Sequence, residues 1–284
     1  RFRYELQGNA NWKNNWGTEI GVGASSQIHR NAFLRGGPRW RAADDHFMYG
    51  FVNSDRSKKF SFTVGYVAIR SEEDVFTRNR YVFRMNYQPF DAFSMSLNNE
   101  LEQTIDKTQY VSTTNFGTDK RYILGTIKND SWTTTLRLNY SINPDFSIQF
   151  YGQPFISRGR YSDFNYVNNP VASSFKNRVN LYEDSQITSQ IDANGNETFL
   201  IDENLNSSTD YSFAKPDFSF VQLQTNLVVR WEYIPGSELF FVWARGSVGS
   251  QDFNDSLGQS IRTQVFDTPA NDTFLIKATY RFVR

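Results

Sequence analysis

The chain has 284 residues, with 30 Lys plus Arg against 30 Asp plus Glu and no cysteine. A formal net charge of zero argues against a nucleic-acid binder, which carries a basic excess, and the lack of thiols excludes a disulfide framework, a thiolate metal site and a cysteine nucleophile. Aromatic residues make up 17% of the chain, yet its mean hydropathy is −0.58: a soluble core would bring more Leu, Ile and Val with so many rings, whereas a transmembrane β-barrel turns rings to lipid and polar residues to its lumen.

No run of about 18 apolar residues occurs, so no transmembrane helix is expected. No signal peptide opens the chain; Arg1 already stands inside an alternating strand, as expected of a fragment. The period is two almost throughout. The first strand, near 1–12, sets Phe2, Tyr4, Leu6, Ala10 and Trp12 against Arg1, Arg3, Glu5, Gln7, Asn9 and Asn11. The second, near 16–29, holds Gly21 and Gly23, which relieve crowding in a curved strand. Without a third glycine or a following helix they do not read as a nucleotide loop.

Strands near 45–54 and 59–70 lead to one near 78–88, where Tyr81, Phe83, Met85 and Tyr87 oppose Arg80, Arg84, Asn86 and Gln88. Next come 92–104, then 107–115 and 119–128 with weaker alternation. Strand 131–142 opposes Trp132, Leu136, Leu138, Tyr140 and Ile142 to Thr133, Thr135, Arg137 and Asn139. Strands near 145–157, 217–233 and 238–250 follow, and 271–283 closes the series with Phe274, Ile276, Ala278, Tyr280 and Phe282 against Lys277, Thr279 and Arg281. The total is about thirteen.

Tight turns at 13–15, 88–92, 142–145 and 234–237 alternate with longer connections at 30–44, 71–77, 158–216 and 251–270. Short turns on one rim and long loops on the other are the outer-membrane pattern. The expected fold is therefore all-β: a transmembrane antiparallel up-and-down β-barrel, one domain over 1–284, with a long extracellular loop at 158–216. Because bacterial single-chain barrels have even strand numbers, about thirteen implies part of a larger barrel. A soluble β-sandwich or propeller also alternates, but these strands are long and evenly spaced and carry mid-strand charges behind a face crowded with rings.

Arg80, Arg84, Glu100, Glu102, Arg137, Arg230, Glu232, Lys277 and Arg281 fall in one register. In lipid each would cost several kcal/mol, so they face water or one another; a polar conduit and a closed salt-bridge network both satisfy that. In "LRGGPRWR", Arg35, Arg39, Trp40 and Arg41 surround a Gly-Gly-Pro turn, an anchor for a partner or an anionic glycan, or a loop folded over the barrel mouth. Tyr161, Phe164 and Tyr166 could stack on sugar rings or pack within an ordered loop.

His46 follows Asp44 and Asp45; a water-activating site needs more carboxylates converging there, and a solvated strand end is preferred. Asp192, Asn194, Asn196 and Glu203 fall at the first, third, fifth and twelfth positions of the calcium-loop pattern. Glu197 stands where that loop needs glycine, so a surface hairpin with a type I′ turn at Asn194-Gly195 is preferred. No catalytic residue, metal or cofactor is expected.

The stretches "AFLRGGPRW" (32–40), "NYSINPDFSIQFYGQPFISRGRYSDF" (139–164), "QTNLVVRWEYIPGSELFFVW" (224–243) and "NDTFLIKATYRF" (271–282) resemble the C-terminal barrel region of large Bacteroidota outer-membrane proteins of unknown function. In that family a module similar to a family-nine carbohydrate-binding domain precedes the barrel; the present sequence lacks it. The resemblance implies an outer-membrane location among lipid and lipopolysaccharide. It brings no settled activity. A terminal strand ending near an aromatic resembles the signal read by the barrel-assembly machinery, a place held here by Tyr280 and Phe282. The functions expected are a porin-like pore or transport role linked to glycan handling, a non-conducting scaffold that docks partner proteins in an outer-membrane complex and, last, a surface hydrolase.

Overall fold

A computed structural model describes residues 2–26, 29–250 and 253–282. Arg1 at the head of the first strand, residues 27 and 28 at the predicted end of the second, and Val283 and Arg284 lie outside the described residues. The fold is an antiparallel all-β sheet built as a meander. Its strands are β1 (Phe2–Asn11), β2 (Gly17–Ser26), β3 (Asp45–Asn53), β4 (Phe60–Ser71), β5 (Phe76–Phe90), β6 (Phe93–Phe116), β7 (Asp119–Asn143) and β8 (Phe146–Val167). After a short helix α1 (Phe175–Arg178) and β9 (Val179–Leu181), which pairs with β8, a small sheet of β10 (Ile187–Ile191), β11 (Glu197–Ile201) and β12 (Tyr211–Ala214) interrupts the order. The meander then resumes with β13 (Phe218–Ile234), β14 (Ser237–Gly249) and β15 (Asn271–Ala278).

Strict alternation gives this sheet two chemically distinct faces, because successive side chains of a strand point oppositely. The registers carry each face across the sheet: Leu6 pairs Val22, Val22 pairs Met48, Val64 pairs Phe83 and Phe241 pairs Ile276. On this apolar face Leu6 is 76% exposed and Ile276 72%. On the other face lie Arg3, Glu5, Arg80, Arg84, Glu100, Glu102, Arg137 and Arg230. Two glycines there follow from close approach: the rings of Tyr49 and Phe47 lie over Gly21 and Gly23, where an added Cβ would come within 2.3 Å of a ring carbon. The Tyr49 hydroxyl then reaches Glu5 and donates to it at 2.9 Å.

Three expectations need correction. The strands predicted at 92–104 and 107–115 are one strand, β6, and those at 119–128 and 131–142 are one strand, β7. Residues 105 and 106, the gap between the first pair, make no turn; just beyond them the ladder shifts register between Asp106 and Gln109, a bulge that lets the strand continue. Asn129 and Asp130 stay paired with Thr104 and Gln103. The main path therefore holds eleven strands rather than about thirteen. The connection at 158–216 is no open loop: β8 runs on to Val167, and β9 to β12 fill most of the rest. The connection at 251–270 carries a helix, α2 (Leu257–Phe266), whose N-cap Ser256 side chain accepts from the Gln259 amide at 3.1 Å.

β6 has 24 residues and β7 has 25, roughly 80 Å at about 3.3 Å per residue. β1 with its 10 residues spans only roughly 33 Å on the same rise. The β6–β7 hairpin, with the 22-residue β8 paired beside it as far as Tyr166, thus stands far above the first strands. There both its faces are covered. Ile123 and Leu124, neighbours on β7 and so oppositely directed, are both fully buried. Ile123 packs with Phe164, Tyr182, Ile201, Tyr211 and Phe213 of the small sheet and its surroundings. Leu124 packs with Leu34 and Trp40 of the 30–44 loop and with Val179.

Among the described residues the main sheet is open, with β1 and β15 at its edges. Counting an odd number of antiparallel strands between them, both edges run in the same direction. β15 also ends earlier than predicted, at Ala278. Thr279 continues the ladder with Glu238, but the Arg281 amide turns to donate to the Ser237 hydroxyl at 2.9 Å, and Tyr280 and Phe282 meet edge to face beyond the strand with centroids 4.7 Å apart.

Candidate functional site

The polar face is a lattice of charges held by short local spacing. Arg84 and Glu100 sit at neighbouring positions on β5 and β6 and meet at 3.3 Å. Arg230 is held by Glu232 at 2.9 Å, two residues along the same strand, and by Glu238, its near neighbour across the turn, at 2.6 Å. Glu102 pairs with Arg78 at 3.3 Å, although its cross-strand partner is Arg80. Arg137 rests over the ring of Tyr151 at 5.3 Å, and the Lys277 ammonium over Phe240 at 5.8 Å. Eight of the nine predicted lumen residues, Arg80, Arg84, Glu100, Glu102, Arg137, Arg230, Glu232 and Lys277, therefore share this face. Arg281 does not, because it lies past the end of β15 against the Gly236 turn.

Above the lattice three connections converge: the 30–44 loop, a 3-10 turn at 72–74 and the 168–178 segment. Their keystone is Arg178, which is 1% exposed. It pairs with Glu73 at 2.8 Å, donates to the Ala172 and Ser173 carbonyls, and lies 5.5 Å over the Trp40 ring. The Arg41 amide donates to the Pro170 carbonyl at 2.8 Å, tying the first loop to the third. Between this roof and the sheet lies a cavity of about 310 Å³ bordered by Phe33, Trp40, Arg78 and Arg178.

The roof decides what the predicted ligand residues do. Trp40 is buried, stacked on Phe33 at 5.2 Å, so it anchors the loop rather than presenting a ring to solvent. Arg35 lies over Tyr110 at 4.5 Å, while Arg39 and Arg41 stay exposed. Phe164 is buried, and the partly buried Tyr161 and Tyr166 pack against the same cluster, as rings within an ordered segment do.

The small sheet is fastened to β7 by a polar chain. Arg121 forks onto Glu203 at 3.0 and 2.8 Å, Glu203 also accepts from the Tyr211 hydroxyl, and Tyr211 meets Tyr182 at 3.0 Å. Burial alone would raise the Glu203 carboxyl, but Arg121 and Tyr211 together outweigh it and hold the group below the usual range. Burial pushes both tyrosine hydroxyls well above theirs. This assignment removes the calcium pattern: its twelfth position, Glu203, is committed to Arg121. The hairpin at 192–196 does form, with Asp192 accepting from the Asn194 and Asn196 amides at 2.8 Å each. Only Gly195 of the Asn-Gly pair has positive φ, so the turn is not type I′.

His46 lies 3.7 Å from Glu72 across the strand end, and Asp45, its neighbour on β3, points to the opposite face. No group of three or more metal-binding side chains occurs among the described residues. Sequence reasoning missed the Arg178–Glu73 and Arg121–Glu203 pairs; they span 105 and 82 residues, and no periodic signal links such distant positions.

A family model described as "Domain of unknown function (DUF5916)" matches residues 1–283. No curated protein matches the sequence. Among solved structures, the chain is similar to the siderophore receptor PiuA from Acinetobacter baumannii, at 10% identity and a TM-score of 0.44, over 97% of this chain. The present chain spans 44% of that receptor's length.

Proposed function

We propose that this chain, which belongs to the DUF5916 family, forms the wall of a β-barrel in a bacterial outer membrane and passes or holds a polar solute along its charged face. The observation that carries this reading is the exposure of the apolar face. Tyr4, Leu6, Ile20, Val22, Met48, Val64 and Ile276 are each at least half exposed, on a sheet whose opposite face carries ion pairs. Monomeric soluble proteins rarely expose so wide an apolar surface; hydrocarbon tails supply the missing solvent. A Bacteroidota source, contact with lipopolysaccharide, assembly by the barrel machinery and a link to glycan handling belong to the same reading, as does a non-catalytic role.

Wall closure follows from strand direction. β1 and β15 run the same way, so pairing them directly would be parallel, whereas outer-membrane barrels are antiparallel. An odd number of further strands between the two edges restores the alternation. The test is folding of the whole protein into lipid vesicles, followed by gel migration with and without boiling and by single-channel recording. Heat-modifiable migration with stepwise conductance supports the proposal. Identical migration in both lanes counts decisively against it.

A second reading has its own support. The roof over the charged face is closed by buried anchors, Leu34, Trp40 and Arg178, as a silent docking barrel would be. A heat-modifiable barrel that stays silent and co-purifies with a fixed set of proteins favours that reading over transport.

A further inference from the structure

Most cations of the charged face are met by a carboxylate or a ring; Arg137 and Lys277 rest over Tyr151 and Phe240. Arg3 is met by Glu5, Arg84 by Glu100, and Arg230 by Glu232 and Glu238. Arg78 and Arg80 stand two apart on β5, on the same face, and their Nε atoms are buried without a hydrogen-bond acceptor. Arg78 meets Glu102 through that same Nε at 3.3 Å, an ion pair without hydrogen-bond geometry; Arg80 has no ion-pair partner among the described residues. Thr104, paired with Arg78 across the ladder, has a buried hydroxyl that also lacks a partner. Buried polar groups in folded proteins are almost always satisfied, and a cluster of exceptions asks for an explanation such as a bound ion or water.

The two arginines border neighbouring cavities, and Thr104 is the cross-strand partner of Arg78. Arg78 borders the roofed cavity of about 310 Å³, Arg80 borders one of about 410 Å³ below it, and Asp45 and Ile69 line both. The nearby carboxylates are already engaged. Glu5 holds Arg3 at 2.9 Å, Glu19 accepts from Gln7 at 3.0 Å, and Asp106 accepts from the Thr108 hydroxyl at 2.7 Å. Asp45 has an interaction of its own. The spare capacity is therefore almost wholly donor capacity, on two cations and one hydroxyl. Planar guanidinium groups match the paired oxygens of carboxylate and phosphate.

We propose that Arg78, Arg80 and Thr104 form an oxyanion subsite that takes the carboxylate or phosphate group of a small solute on the polar face. The proposal deepens the transport reading by naming the class of solute. It rests on that reading for solute access but not for the binding itself.

The test is calorimetric titration of the purified protein in detergent with inorganic phosphate and, separately, succinate. Binding of at least one probe is expected, and the stronger of the two identifies the preferred oxyanion. Arg80→Gln weakens it tenfold or more, the Arg78→Gln/Arg80→Gln double variant abolishes it, and Arg262→Gln on the exposed side of α2 leaves it unchanged. Thermal melting verifies the fold of each variant; Arg80→Gln should melt no lower than the wild type, since the removed donor has no partner. No binding of either probe, or equal affinity in Arg80→Gln, means the donors are met by water and overturns the proposal. Conductance recorded on the same samples separates the two readings. Binding without conductance sinks transport and keeps the subsite, and conductance without binding does the reverse.

Discussion

The lower wall and the upper β6–β7 hairpin are written in the same period of two, yet they solve opposite problems. In the wall one face is charged and the other carries exposed rings and aliphatic side chains. In the upper hairpin the two faces meet protein, and Ile123 and Leu124 disappear into separate clusters. The lesson is that alternation reports a difference between two faces and leaves the nature of each neighbour open. What separates the regions is length, since a strand of 24 residues outruns a bilayer that about 9–11 tilted residues cross.

The largest expected contrast comes from the upper core. Phe164→Ala should cost the small sheet about 4 kcal/mol, the usual range for a buried ring. Hydrogen exchange should show β10–β12 losing protection while β3–β5 keep theirs; a loss spread over the whole chain would mean that the two regions are one cooperative unit. Next, Val64→Arg places a cation on the exposed apolar face and should cost about 3 kcal/mol in lipid. The same change on a water-facing strand costs almost nothing, so an unaltered folding titration in vesicles removes lipid as the neighbour.

Gly21→Ala should cost about 2 kcal/mol by forcing the Tyr49 ring from its seat, and Tyr49→Ala in the same chain should recover part of it. Additive losses in that double variant would show that the ring and the glycine do not meet. Smaller still is the acid response of the small sheet. The Glu203 carboxyl is held below its ordinary range. Its contribution is therefore complete above the unfolded value and fades as pH falls through the folded one. Protection of β10–β12 should fall on that acid limb, and Glu203→Gln should flatten the response.

Most of the wall was legible from residues alone. Phe83 against Arg84, Leu138 against Arg137 and Ile276 against Lys277 fall on opposite faces as their alternation implies. The misreadings share a cause. Residues 105–106 and Asn129–Asp130 separated the predicted strands, but a bulge and continued cross-strand pairing carry the strands through them. The rings at 161–166 looked available because a sequence shows no burial, and their cover, β10–β12, was itself read as loop. Arg121 with Glu203 and Arg178 with Glu73 depend on tertiary closure, which local patterning does not encode. Arg80 was placed correctly on the polar face, but its lack of a partner appears only once Glu102 is seen to turn toward Arg78.

The two borders of the main sheet point alike, and this sets a rule for how such a protein can change width over evolutionary time. Inserting or deleting a lone strand would reverse the polarity of everything beyond it and move the long connections to the opposite rim of the sheet. Only paired additions leave the rims where they are. Relatives should differ in circumference by steps of two, with each added hairpin contributing one short turn and lengthening the other rim by a single loop.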